Sequence, residues 1–258
     1  MTAPPFSTLL LAATMAAAAG LMGCYAIMRR MTLAADALSH VALPGIGLAL
    51  LVGLHPLVGA VAALATGAVL VWGLEKRTRI ATETIIGVVF SAGLAVGALL
   101  TSGERLIEAL FGAPGALTSW ELGLGLVGAG AVIAFAITAR DRLVVALVSP
   151  EIALTSGVNV RRLNLWYLLA FALTVALGLR YLGVLLMGSL VIIPPAAARR
   201  LARNLSEMFA FSVAVAVLST LLGSYVAARA GQQTGPVIIA IAAACFGLAA
   251  LRPARSLA

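Results

Sequence analysis

The sequence predicts an all-α integral membrane protein, a polytopic bundle of eight or nine transmembrane helices. Three observations carry that reading. Of 258 residues, 62% are hydrophobic and only 10% charged, where a soluble domain has ~45–50% and ~25%. Mean hydropathy is +1.12. The apolar residues fall in runs near the ~20 that one bilayer span takes, and short basic clusters separate the runs. Such a composition also excludes a disordered chain, which is poor in apolar residues. Residues 1–258 read as a single transmembrane domain, with no soluble domain, tandem repeat or low-complexity tract.

The first run, about Phe6 to Met28, ends at Arg29-Arg30. No basic residue precedes it, so it lacks the charged start of a secretory signal peptide and reads as a span whose N-terminus faces outward. The second, about Leu33 to Leu54, is interrupted by Pro44-Gly45. His55-Pro56 turns the chain into a third, Leu57 to Leu74, closing on Glu75-Lys76-Arg77-Thr78-Arg79. The fourth covers about Glu83 to Thr101. A stretch with Gly and Pro, Ser102 to Ser119, then forms the longest outer loop. The fifth runs from about Trp120 to Ala139 and stops at Arg140-Asp141-Arg142.

A segment of different character follows. Ser149-Pro150-Glu151 offers an N-cap, a proline at the first helical position and an acid in the first turn. Gly157 suits the helix end. Pro150 to Ser156 is therefore expected as a short helix in a loop, which Arg161-Arg162 hold on the cytoplasmic side. The sixth span covers about Leu163 to Leu179. The seventh, about Gly183 to Ala198, is broken by Pro194-Pro195 and could be re-entrant, which separates the counts of eight and nine. At membrane depth such a break is tolerated only against protein or a water-filled cavity. The eighth covers about Met208 to Ala228 and the ninth about Pro236 to Leu251.

Charge placement sets the orientation. Of seventeen Lys and Arg, only Arg105, Arg180 and Arg229 fall outside under nine spans, and the other fourteen fall inside, as the positive-inside rule requires. The net charge of +8 is thus a topology signal rather than a nucleic-acid surface. The single lysine, Lys76, follows Glu75. A phosphate-binding Gly-Lys-Ser/Thr loop is missing, so the chain hydrolyses no ATP by that route. Cys24 and Cys245 sit inside apolar runs far apart in sequence and read as small packing hydrophobes, with a disulfide between them as the alternative.

Ionisable residues within spans are costly and mark functional sites by default. Glu75, Glu83, Glu121, Asp141 and Glu207 fall near span ends, and Glu104, Glu108 and Glu151 fall in loops. Asp36 enters the second span with His40 four residues later, on the same helix face. Carboxylate oxygen and imidazole nitrogen suit Zn²⁺, Mn²⁺ or Fe²⁺. Pro44 has no N–H, so the carbonyl of His40 loses its helical partner. Two side chains and a carbonyl are too few for a closed structural zinc site. They fit a transit site, where an ion binds and also leaves. On spacing alone the same pair also fits a structural staple, Asp36 bonded to His40. His55 reads as a turn residue, with a ligand at the outer mouth as the alternative. Hydrolytic enzyme patterns fail: H-E-x-x-H is absent, there are two histidines in all, and adjacent Ser39 and His40 point apart on a helix.

The run Arg29-Arg30-Met31-Thr32-Leu33-Ala34-Ala35-Asp36-Ala37-Leu38-Ser39-His40-Val41-Ala42-Leu43-Pro44-Gly45 resembles the signature of permease subunits of bacterial zinc/manganese ABC importers, the ABC-3 family. Glu75-Lys76-Arg77, Ile86-Gly87-Val88-Val89-Phe90-Ser91, the loop Ser149 to Val160, and Gly183 through Ile193-Pro194 to Ala198-Arg199-Arg200 resemble the same family in the same order. Departures are modest: Glu83 stands where many members have Asp, and Pro195 doubles a proline often followed by Ala. The resemblance implies a type II importer-like fold in the bacterial inner membrane. It implies a second permease, in a homo- or heterodimer, two separate ATP-binding-cassette ATPase subunits, an extracytoplasmic metal-binding protein, and no nucleic acid. It carries metal contact to Asp36 and His40, with Zn²⁺ or Mn²⁺ (or Fe²⁺) as transported ion and no permanently bound cofactor. It carries coupling to the ATPase to residues 149–162, with Ser149, Pro150, Glu151, Ile152, Leu154 and Gly157 at its centre. Pro44, Gly45, Pro194 and Pro195 are expected as helix breaks near the pathway. The alternatives are a permease for a metal chelate, which would need a wider cavity and no Asp/His pair, and a channel or secondary carrier, which would not need the capped cytoplasmic helix.

Overall fold

A computed structural model describes residues 5–31, 34–78, 80–100 and 118–251. Among them the chain forms eleven α-helices: α1 (Phe6–Met28), α2 (Ala34–Val52), α3 (Pro56–Thr78), α4 (Thr82–Leu100), α5 (Ser119–Thr138), α6 (Arg140–Val148), α7 (Pro150–Thr155), α8 (Val160–Leu182), α9 (Val184–Leu201), α10 (Leu205–Ala230) and α11 (Thr234–Ala250). The expected outer loop over 102–119 lies outside the described residues except for its last two. Helices dominate because a backbone in lipid must satisfy its polar groups within its own segment.

Each apolar run of the sequence appears as a helix with boundaries moved by a few residues. Five of the described helices are long and apolar enough to cross a membrane by length and composition: α1, α3, α5, α8 and α10. Shorter apolar stretches lie in α2 (His40–Ala49), α4 (Thr82–Gly97) and α11 (Thr234–Ala250).

α1 is the centre of the molecule, packing on α5, α8, α9 and α10, while α9 also packs on α10 and α11. α2 packs on α3 and α4, and this group joins the rest through α3 on α8 and α9 on α2. Tyr25, Met22, Leu38, Leu64, Leu168, Phe171, Met187 and Leu190 are fully buried between these groups. Small residues set the closest approaches. A Cβ on Gly23 of α1 would lie 2.1 Å from the carbonyl oxygen of Val191 and 2.6 Å from Pro195 Cγ, so α1 and α9 touch backbone to backbone there, as helices in lipid do where glycine permits.

One expectation needs correcting. Pro44-Gly45 and Pro194-Pro195 do not break their helices: α2 runs through the first pair and α9 through the second. A proline ring holds φ in the helical range and forfeits a single i−4 bond, and a neighbouring helix pressed on the backbone keeps it in register. As expected, the chain ends α5 at Thr138, ahead of Arg140-Asp141-Arg142. It pivots at Ala139 (φ −88°, ψ 0°) into α6, whose Leu143 and Ala146 are buried three residues apart. The basic cluster there begins α6.

Candidate functional site

α2 holds the two residues that the spacing paired. Asp36 is the third residue of α2 and His40 lies one turn further along. The Asp36 side chain lies outside the described residues. The His40 ring is half-buried, edge-to-face with Phe90 of α4 at 5.4 Å between centroids. Its Nδ1 is buried and finds no hydrogen-bond partner among the described residues. A buried polar atom left unpaired costs about 1–3 kcal/mol.

The turn after His40 is gripped from two sides. Val41 lies against Gly67 of α3 and Gly93 of α4, where a Cβ would approach it to 3.1 and 3.3 Å. Pro44 lies against Gly97, at 3.2 Å from such a Cβ. Gly45 meets Gly59 of α3 with even less room: a Cβ on either would stand 2.1–2.2 Å from the other's carbonyl oxygen. The proline and glycine expected to break α2 instead let it dock, and Pro44 still leaves the His40 carbonyl without a helical donor. Pro194 and Pro195 lie on α9, where Pro195 packs on α1 at Gly23.

His55 sits in the turn between α2 and α3, past the end of α2 at Val52, which lies roughly 18 Å along the helix from His40. Its Nδ1 accepts the Leu57 N–H at 3.3 Å, its Nε2 lies 3.5 Å from Glu121 Oε1, and its ring meets Trp120 at 5.3 Å. Glu121 is buried at the start of α5, where its Oε2 accepts the Thr118 N–H at 3.1 Å and hydroxyl at 2.7 Å in a capping box. The turn role of His55 thus extends to fastening the α2–α3 hairpin to α5. Among the described residues, no group of three or more His, Cys, Asp or Glu could hold a metal ion.

α7 packs on α6 and α8. Ser149 Oγ accepts the Ile152 N–H at 3.3 Å and Pro150 opens the helix, with Glu151 in its first turn. Gly157 takes φ +76°, and the chain closes with Gly157 N–H to Leu154 O at 3.1 Å and Val158 N–H to Ala153 O at 2.9 Å. That pairing is a Schellman end, and it requires a residue at ease with positive φ. Ala153 is fully buried, whereas Ile152 and Leu154 are 59% and 62% exposed. The short helix therefore leaves two apolar side chains exposed, one on either side of the buried Ala153. Phe90 falls in the segment Ile86 to Ser91 singled out in the sequence, but its contact with His40 depends on α4 folding over α2 and has no local signal.

The family described as "ABC 3 transport family" matches residues 5–252. The chain is 29% identical over 240 residues to the high-affinity zinc uptake system membrane protein ZnuB of Haemophilus influenzae, covering 91% of this chain and 92% of that protein. It is 28% identical over 247 residues to the manganese transport system membrane protein MntC of Listeria innocua, covering 94% and 88%. The structure of PsaBC from Streptococcus pneumoniae in complex with Fab superposes with a TM-score of 0.81 at 25% identity, covering 94% of this chain and 89% of that one.

Proposed function

The chain belongs to the ABC 3 transport family, and on that premise we propose that it carries a divalent transition-metal ion, zinc or manganese, inward across the bacterial cytoplasmic membrane. It is a multi-pass membrane permease subunit, and similarity to a zinc and a manganese system membrane protein favours a bare ion over a chelate. The observation that carries the site is the buried Nδ1 of His40, without a partner among the described residues, one turn from Asp36 on a helix gripped by glycines.

A bare divalent ion cannot enter hydrocarbon, because its desolvation costs tens of kcal/mol. It crosses by exchanging water for ligands that hold it briefly. The Asp36 carboxylate supplies charge and a hard oxygen. The His40 imidazole supplies the nitrogen that selects transition metals over calcium or magnesium. A second permease across the pathway would add a second pair, which suits the small ligand set in this chain. An ATPase subunit seats on the exposed Ile152 and Leu154 of α7 and drives the alternation, and an outer binding protein delivers the ion. The three shorter apolar helices and α9, added to the five long ones, make nine crossings with the N-terminal side outward.

The test is uptake of zinc and manganese by proteoliposomes holding the complete transporter. Asp36→Asn and His40→Ala are each expected to reduce uptake to background at equal protein level. Wild-type rates in both variants would refute the transit site and leave the pair as a structural staple.

A further inference from the structure

Two polar rungs join α3 to α8 on the cytoplasmic side. In the first, Trp72 Nε1 donates to the carbonyl of Arg161 at 3.1 Å, and the Arg161 guanidinium lies 5.1 Å from the Trp72 ring centre. In the second, three residues along each helix, Asn164 Nδ2 donates to Glu75 Oε2 at 2.7 Å. The other oxygen of Glu75 accepts from the hydroxyl of Thr82, the first residue of α4, at 2.5 Å.

Asn164 is engaged on its other side too. Its Oδ1 accepts from Arg29 Nη1, just past the end of α1, and that guanidinium lies 4.3 Å over the Tyr167 ring. The amide thus bridges a cation and a carboxylate, with its oxygen toward the first and its nitrogen toward the second. Turning it over would set NH₂ against guanidinium and oxygen against carboxylate, so its orientation is fixed. Burial pulls the Arg29 guanidinium below its ordinary value, and Tyr167 and Glu75 push it back up. All three residues are partly shielded from water, where charge-assisted bonds are at their strongest.

The placement of this bridge gives it a task. α8 starts at Val160, directly after the loop that ends α7, and Asn159 caps it by accepting the Arg162 N–H at 3.0 Å. Asn164 is the fifth residue of α8. Through its two bonds it holds the end of α1, from which the chain enters α2, and the end of α3. Through Glu75 it also reaches the start of α4. α3 and α4 are the helices packed on α2 around His40. We infer that Asn164 is a positioning residue that passes movement of α7 to the helices flanking His40, through its paired bonds to Arg29 and Glu75. This rests on the transport function proposed above, since it presumes an ATPase that moves α7. Hydrogen-bonded networks of this kind are physical carriers of coupling.

The experiment measures ions imported per ATP hydrolysed, with zinc and manganese in parallel, in proteoliposomes of the whole transporter. Asn164→Asp keeps the acceptor for Arg29 but sets carboxylate against Glu75. It is expected to lower the ratio at least five-fold while the ATPase stays bound. Asn164→Asp combined with Glu75→Gln reverses the bond, the Gln amide donating to Asp and its oxygen still accepting from Thr82. That pair is expected to recover the ratio to within two-fold, which an unspecific structural defect would not do. Asn164→Ser, which removes both bonds without adding charge, is expected to lose the same ratio. The inference is overturned if either single variant assembles and keeps the wild-type ratio, if the double variant recovers nothing, or if no single variant assembles. A wild-type complex that imports neither ion removes the transport function itself, and the relay with it.

Discussion

Gly59→Ala on α3 adds one methyl group where α2 and α3 meet. The new Cβ would lie 2.1 Å from the carbonyl oxygen of Gly45 and 2.6 Å from Ala49 Cβ. Ordinary contact begins near 3.4 Å, so the helices must part locally by about 1.3 Å, the difference between the two distances. The nearest atom is backbone, so no rotamer change relieves it. Overpacking costs about 1–3 kcal/mol, and a rigid partner places this site near the top of that range. Replacing a helical glycine by alanine returns up to about 1 kcal/mol of propensity, leaving a net loss of about 2 kcal/mol. Gly73, on the same helix, has nothing within 4 Å of its would-be Cβ. Gly73→Ala is therefore expected to be neutral or stabilising by up to about 1 kcal/mol. The assay is reversible unfolding in mixed micelles with increasing denaturing detergent, followed by far-UV circular dichroism. Equal stability of the two variants would refute the reasoning, because helix propensity alone would then account for both.

Two more expectations concern the ends of the pathway. Ile152→Asp or Leu154→Asp, on the exposed face of α7, is expected to release the ATPase or uncouple its hydrolysis from uptake, while the permease unfolds as wild type does. Retained association with coupled uptake would show that α7 is not the docking element. In a background without Cys24 and Cys245, Phe6→Cys is expected to react with an impermeant thiol reagent from outside and Leu251→Cys only from inside. Labelling of both from one side would refute nine crossings.

Much of this fold is legible because lipid makes local rules strict. Each apolar run becomes a helix, and the cap at Ser149 with proline behind it places the start of α7 to the residue, since Ser149 Oγ does accept the Ile152 N–H. α6 was not legible, because its burial is carried by Leu143 and Ala146 alone, amid charges that read as a span end. Continuity through Pro44 and Pro195 was not legible either, because what preserves it lies on other helices, at Gly97 and Gly23. The site follows the same division. The i, i+4 spacing of Asp36 and His40 is visible in one dimension. Phe90 lies fifty residues after His40 in the sequence, and Asn164, with no motif around it, gains meaning only from Arg29 and Glu75, both distant in sequence.

The glycines around α2 connect the fold to the site. In lipid, apolar burial does not draw helices together, so association rests on close packing. α2 is weakest beside His40, because Pro44 forfeits the bond to the His40 carbonyl. The closest packing surrounds that same turn, with Gly67 and Gly93 against Val41, Gly97 against Pro44, and Gly59 against Gly45. A helix lacking an internal bond but held from two sides can keep its ligands aimed without tightening around them. That is what transit demands, since an ion held in a complete cage would not leave. The glycines hold α2 from outside, and in the proposed function the groups that exchange are the His40 carbonyl and the Nδ1 that has no partner among the described residues.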